Sequence, residues 1–388
     1  MRAPWKVTNP SAAFDPSLCK IHALMGRSKP LDGQVGIEVE VEGNQFPKND
    51  EDYGDEVIHM GGELIPSQWQ YTHDGSLRGD DNAEYILAKP LNFNEVSDAL
   101  MDLWRMFDEF GSVLDESNRT SVHVHLNAQD WHLNRIASFL GLYFSVEEIL
   151  VNWCGDHRAG NLFCLRAKDA PAIVNRARKF IKTGDLSVFD EGQHYAGVNL
   201  EALKKKGSIE IRSMRGATHY APIVTWVSVL ERIYNLSGEF DDPRLVVSQF
   251  SGGGALNYLK FVLGENYDEI LSGVDMHPGE VVRSLTEGIR FAQNVCYCRD
   301  WAAFKPSAVS SDPFGRNPVK VANSINNDPV EEYLSQSDYD VAVPPAPQVV
   351  GSTSLVQAMQ DFYVLSSTPM TVSSTSWTDI WSSEPETP

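Results

Sequence analysis

The stretch GIEVEVEG, residues 36–43, sets Glu38, Glu40 and Glu42 on alternate positions between Ile37, Val39 and Val41. Successive side chains of a strand point to opposite faces, so this is a strand with carboxylates on one side and aliphatics on the other. Three like charges in a row repel one another. Either that face is plain solvent, or something positive sits on it.

Two further strands carry the same signature. In SVHVHLN, residues 121–127, His123 and His125 share a face opposite Val122, Val124 and Leu126. In SIEIRSM, residues 208–214, Glu210 and Arg212 stand opposite Ile209 and Ile211. For one strand alone, solvated alternation is the simpler account. Three strands whose polar faces carry Glu, His and Arg at the key positions indicate a site. The pattern predicts an antiparallel sheet with one packed face and one open, functional face.

Around these strands the periodicity supplies more elements. AEYILAKP is a strand ended by Pro90, after short strands at 57–65 and 67–72 and the turn HDGSL. A helix starts at Asn94 and stops at Gly111; a long buried one ends near Trp153 with Asp130 as cap; a third has Asp169 as cap and Gly184 as stop. Further helices are expected over 219–236, 243–263 and 278–297, with Trp104, Trp131, Trp153 and Trp226 in the core. The strands HYAGVNL and GSIEIRSM are joined by EALKKKG.

The totals exclude several classes. A chain of 388 residues, 42% hydrophobic and 22% charged, can bury a sizeable core. A net charge of −21 repels phosphate backbones and anionic lipid, so neither nucleic acid nor membrane is expected as a partner. Five cysteines without a CxxC pair are no disulfide framework and point to a reducing compartment, with Cys154 and Cys164 as buried thiols. The N-terminus lacks the apolar run of a signal peptide and no stretch approaches the roughly 20 apolar residues of a membrane span, so a soluble, cytoplasmic protein is expected. From about Lys305 the chain turns rich in Pro, Ser, Thr and acid, with spaced aromatics such as Trp377 and Trp381, a composition expected to stay largely disordered or extended.

Several carboxylates with one or two imidazoles suit Mg²⁺ or Mn²⁺ more than Zn²⁺, and two such ions would neutralise the clustered glutamates. An arginine beside metal-bound carboxylates makes sense where it faces an anion, since its planar fork matches phosphate oxygens. Carboxylates, divalent metal and Arg together describe a nucleoside triphosphate site for phosphoryl transfer. No GxxxxGK[ST] occurs, so this is no P-loop; SGGGALN, residues 251–257, reads as a loop between helices.

The set GIEVEVEG, HDGSL with AEYILAKP, SVHVHLNA, CGDHRAGNLFC at 154–164, and HYAGVNL followed by GSIEIRSMRGAT resembles, in its order, the motifs of the amidoligase family. These are ATP-dependent carboxylate–amine ligases related to glutamate–cysteine ligase and glutamine synthetase. The resemblance runs from about residue 35 to 220. It implies an α+β fold, a glutamine synthetase-like curved antiparallel sheet backed by helices, with ATP and two or more Mg²⁺ (or Mn²⁺) on the concave face. A catalytic domain would then span 31–304, between an N-terminal lead-in (1–30) and the tail (305–388).

The metal ligands implied are Glu38, Glu40, Glu84 and Glu210, with His123, His125 or both. Arg212 would contact phosphate, while Arg158 and Arg215 would meet phosphate or a substrate carboxylate. Glu84 and Asn199 would line the nucleotide side, and His194 the edge of the site. His73, Asp74 and His194 are candidates for deprotonating the amine, and residues 182–193 for a lid. Lys204–Lys206 reads as a solvated hairpin loop, with attraction of ATP phosphates or an acidic substrate as the alternative. QHYAG and SMRGAT depart from the family pattern, which leaves the carboxylate and amine substrates, small molecules or peptides, unnamed. The oligomeric state is likewise unspecified. Two other readings stay open: a zinc hydrolase using HVH with His157 or His219, and a non-catalytic structural or interaction protein.

Overall fold

Ile37, Val39 and Val41 are almost fully buried, which places β1 (Val35–Asn44) in the middle of a sheet. The computed structural model describes residues 15–47, 65–72, 77, 82–189 and 195–304. In it, β2 (Trp69–Thr72), β3 (Asn82–Leu87), β4 (Val113–Leu114), β5 (Ser121–Asn127), β6 (Val198–Asn199) and β7 (Ser208–Arg215) join β1 in one seven-stranded sheet. The order is β2-β3-β1-β5-β7-β6, with β4 paired to the end of β1, and the pairings of these strands are antiparallel. The fold is therefore α+β, built on an open antiparallel sheet, as the alternating patterns of three of its strands require.

Val122, Val124, Leu126, Ile209 and Ile211 have no exposure at all. Helices supply the other half of that core. Trp69 of β2 donates its indole N–H to Ala99 O in α2 (Val96–Phe110). Tyr143 of α3 (Leu133–Trp153) bonds Ser213 of β7, and Tyr234 of α6 (Ala221–Ser237) donates to Asn127 O of β5. Most residues of α3 are buried, and α10 (Pro278–Cys296) lies close against it at Gly141 and Gly288. A Cβ on Gly288 would sit 2.4 Å from Ser145 O, so only glycine allows that approach. Trp131 and Trp226 are in the core as expected, Trp104 is buried and Trp153 is half-buried.

Several element ends differ from the sequence reading, each for a visible reason. The helix expected from Asn94 begins with a 3₁₀ turn at Phe93, because Asn92 and Glu95 close a capping box. Asp130 is no cap: it pairs with Lys20 at 2.6 Å, and α3 starts at Leu133. Asp169 is no cap either, being held by Arg166, and α4 (Pro171–Thr183) starts at its proline. The segment 243–263 is two helices, α7 (Arg244–Gly253) and α8 (Ala255–Leu263), broken at Gly254 with φ 75°. EALKKKG is not a loop but a short helix, α5 (Glu201–Lys205), followed by a turn. Of HYAGVNL only Val198 and Asn199 form strand. The lead-in contributes α1 (Ile21–Leu24), whose Ile21 N–H bonds Trp131 O. The cysteines are free, Cys154 and Cys164 among the buried ones. Among the described residues no helix is long and apolar enough to cross a membrane. The short strand expected at 57–65 (all but Ile65, which is not in a strand), most of the HDGSL turn and the tail lie outside the described residues.

Candidate active site

Register brings the singled-out residues onto one patch. Across β1 and β3, Glu40 faces Glu84; across β1 and β5, Glu38 faces His123. Across β5 and β7, His125 faces Glu210, which also faces Asn199 of β6. Period-2 side-chain geometry then gathers Glu38, Glu84, His123, His125 and Glu210 on the face away from the helices.

Glu38 is the centre. Its Oε2 lies 3.1 Å from His123 Nδ1, and its Oε1 lies 2.9 Å from His125 Nε2 and accepts from Lys206 Nζ at 2.7 Å. Two sets of ligand atoms come together, Glu38–Glu84–His123 and Glu38–His125–Glu210, the atoms within each lying within 4.8 Å of one another. Two carboxylates and one imidazole at that separation fit a divalent cation. Burial pushes the Glu38 carboxyl upward, but hydrogen bonds and charge from His123 and His125 outweigh it and hold it well below the usual carboxylate range. Glu210 is likewise raised by burial and, on balance, lowered by the charges of His125, Arg212 and His123.

The expected open face is mostly closed. Glu40 and His123 are each 3% exposed, Glu210 6% and His125 7%. The site side chains cover one another, with Lys206, Ser208 and the Phe163 carbonyl at their edges.

Other candidates take different places. Glu40 belongs to neither cation group: its Oε2 accepts from both the N–H and the hydroxyl of Ser121, at 2.8 and 2.7 Å, and its Oε1 lies 3.5 Å from His123 Nε2. It thereby orients His123 from behind. Glu42 accepts from Ser117 Oγ at 2.5 Å. Asn199 donates to Glu210 Oε2 at 2.7 Å, and Arg212 to Glu210 Oε1 at 2.6 Å. Glu210 is thus held from two sides.

Strict alternation along SIEIRSM puts Met214 on the face of Glu210 and Arg212. The structure turns Met214 into the core instead, because the register shifts between Val122 and Val124: they pair with Met214 and Ile211, leaving Arg212 and Ser213 as a bulge. Arg158, buried at 1% exposure, holds that bulge by donating to the carbonyls of Arg212 at 2.6 Å and Ser213 at 3.1 Å. Its guanidinium is engaged with main chain rather than presented to the cation groups. Arg215 is exposed at the strand end, opposite Ser121. His157 and His219 join neither cation group. His194, His73 and Asp74 lie outside the described residues, and so does the 190–193 end of the expected lid.

Sequence reasoning passed over Ser121, Ser208 and the ion pair of Lys206. The two serines were findable, since each lies two residues before a singled-out His or Glu on the same strand face. Lys206, read as a solvated loop residue, reaches Glu38 because α5 and the turn after it point its side chain back over the sheet.

Comparison with known proteins agrees with this arrangement. The family model described as "Putative amidoligase enzyme" matches residues 33–234, just over half of the chain and every strand from β1 to β7. No curated protein matches the chain significantly. On the family match, with the strand motifs that carry Glu38, Glu84, His123, His125 and Glu210 gathered on one sheet face, the chain belongs to the amidoligase family, whose members are described as enzymes.

Proposed function

We propose that this protein is an ATP-dependent carboxylate–amine ligase that forms an amide or peptide bond through an acyl phosphate. The observation that carries the reading is the pair of cation groups sharing Glu38, with Arg212 beside them. The antiparallel sheet, with ligands on one face and helices on the other, is in this reading a glutamine synthetase-like catalytic sheet. Mg²⁺ or Mn²⁺ is the ion class, and Glu38, Glu84 and His123 would hold one ion and Glu38, His125 and Glu210 another. Bound there, such ions would supply positive charge to offset the charge that develops in phosphoryl transfer.

The chain's own residues have separable tasks. Asn199 and Arg212 fix Glu210, and Glu40 with Ser121 fixes the His123 ring. Arg212, only partly buried, turns its remaining N–H groups toward the transferred phosphoryl oxygens. A substrate carboxylate oxygen attacks the γ-phosphorus, the bond to the bridging oxygen breaks, and ADP leaves. The amine then attacks the acyl carbon, phosphate departs with the C–O bond electrons, and the amine proton passes to a base.

The zinc hydrolase reading needs both imidazoles on one ion, whereas His123 and His125 fall in different groups, each with two carboxylates. Phosphate release from ATP with Mg²⁺, across a panel of amino acids, peptides and amines, tests the proposal. Release that requires both a carboxylate and an amine, and disappears in Glu210→Ala and Arg212→Ala, is the expected result. A silent panel together with no calorimetric binding of ATP–Mg²⁺ defeats it.

A further inference from the structure

Lys206 is placed by the fold, not by chance. Its carbonyl accepts from Gln129 Nε2 at 2.9 Å, and Gln129 is itself 1% exposed. Its N–H donates to Ala202 O at 2.8 Å. Gly207, next in the chain, has φ 75°, and a Cβ there would lie 2.4 Å from Gln129 Cγ. Only glycine fits that turn, so the backbone from which the lysine springs has one course. What remains free is the four-carbon side chain, 56% exposed along its length, with its ammonium 2.7 Å from Glu38 Oε1 and 3.4 Å from His125 Nε2.

Of these two residues, His125 belongs to one cation group only, while Glu38 belongs to both. His125 and Glu38 with Glu210 form the group on the β7 side, while the Glu84–His123 group uses Glu38 but not His125. The ammonium therefore sits where it repels a divalent ion entering the first group more than one entering the second.

We propose that Lys206 is a tethered cation that competes with a divalent ion for the Glu38–His125–Glu210 group, so that the two groups load unequally. The inference rests on the metal reading of the site given above. The Glu38–Glu84–His123 group fills first. The second ion enters only as Lys206 releases Glu38, and because the side chain is already more than half exposed, the released ammonium rehydrates at little cost.

The test is a Mn²⁺ titration of the full chain without nucleotide, read by the paramagnetic resonance signal of free Mn²⁺, for wild type, Lys206→Met and Lys206→Arg. The wild type should show a tight and a weak site. Lys206→Met should tighten the weak site roughly three- to tenfold, leaving the tight one within about twofold, and Lys206→Arg should keep the weak site weak. Two sites whose constants do not move in Lys206→Met, a weak site that weakens further, or a single site in both proteins overturns the role of Lys206 alone. No Mn²⁺ bound by any of the three proteins overturns the cation reading of the site, and this proposal with it.

Discussion

The guanidinium of Arg158 donates to the carbonyl of Arg212 at 2.6 Å, so one arginine positions the main chain of another. The bulge that aims Arg212 at Glu210 leaves carbonyls turned away from the β5 ladder, and Arg158 satisfies two of them. Arg158→Met keeps the apolar stem and removes the donors, leaving buried acceptors unpaired. Urea denaturation should show a loss of about 2–4 kcal/mol. An Arg158→Met protein as stable as its parent would refute the positioning role.

Glu147, on the buried side of α3, leads to a pH prediction away from the site. Its Oε2 accepts from Ala167 N–H at 2.9 Å, while its Oε1 has no hydrogen-bond partner among the described residues. Burial pushes its carboxyl up to about 8 from an ordinary 4.5, with the Ala167 N–H and the Arg166 charge offsetting only part. Between those two values the folded chain keeps a proton that the unfolded chain releases, so stability falls as pH rises through that window. Glu147→Gln cannot ionise. It should match wild type at about pH 4.5 and exceed it by about 2–4 kcal/mol at about pH 9, by chemical denaturation at both pH values.

Glu38 contributes to both cation groups and Glu84 to one. Titration calorimetry with Mn²⁺ should therefore separate them. Glu38→Gln is expected to weaken both ions by more than about tenfold, and Glu84→Gln only the ion bound with His123. Equal effects from the two substitutions would contradict the shared-ligand arrangement.

At the crossing of α3 and α10, a Cβ on Gly288 meets Ser145 O at 2.4 Å and Phe144 O at 2.7 Å, backbone atoms that cannot swing aside. Gly288→Ala should lower stability by about 2–4 kcal/mol in thermal or denaturant unfolding. Gly279→Ala, in the first turn of the same helix with nothing within 4 Å of the added Cβ, is the control and should leave stability unchanged or raise it by up to about 1 kcal/mol.

What the sequence disclosed follows the reach of each signal. Period-2 alternation is local, so β1, β5 and β7 were legible, and with them the shared face of Glu38, His123, His125 and Glu210. Glu84 enters only through the family motif, and that it lies opposite Glu40 is visible in the register alone. The bulge was not legible, because it is a mismatch between two strands and neither strand alone records it. Asp130 looks like a helix cap from its neighbours, yet its partner Lys20 is 110 residues away. Arg158 carries the charge expected of a phosphate ligand, and only the fold reveals that two carbonyls take its donors. In each of these misses a long-range partner overrode a local preference.

Glu38 and His123 are 85 residues apart in the chain, and Glu210 lies as far again beyond His125. Each central pairing of the sheet thus closes a long loop before its contacts can reward the closure, which makes these pairings slow steps of folding. A ribosome that has released only β1 through β5 has made both histidines and the Glu38 carboxylate, but neither Glu210 nor Arg212. The Glu38–Glu84–His123 set is therefore already on the chain at that point, whereas the Glu38–His125–Glu210 set waits for β7, so the two halves of the candidate site arrive at different times in synthesis.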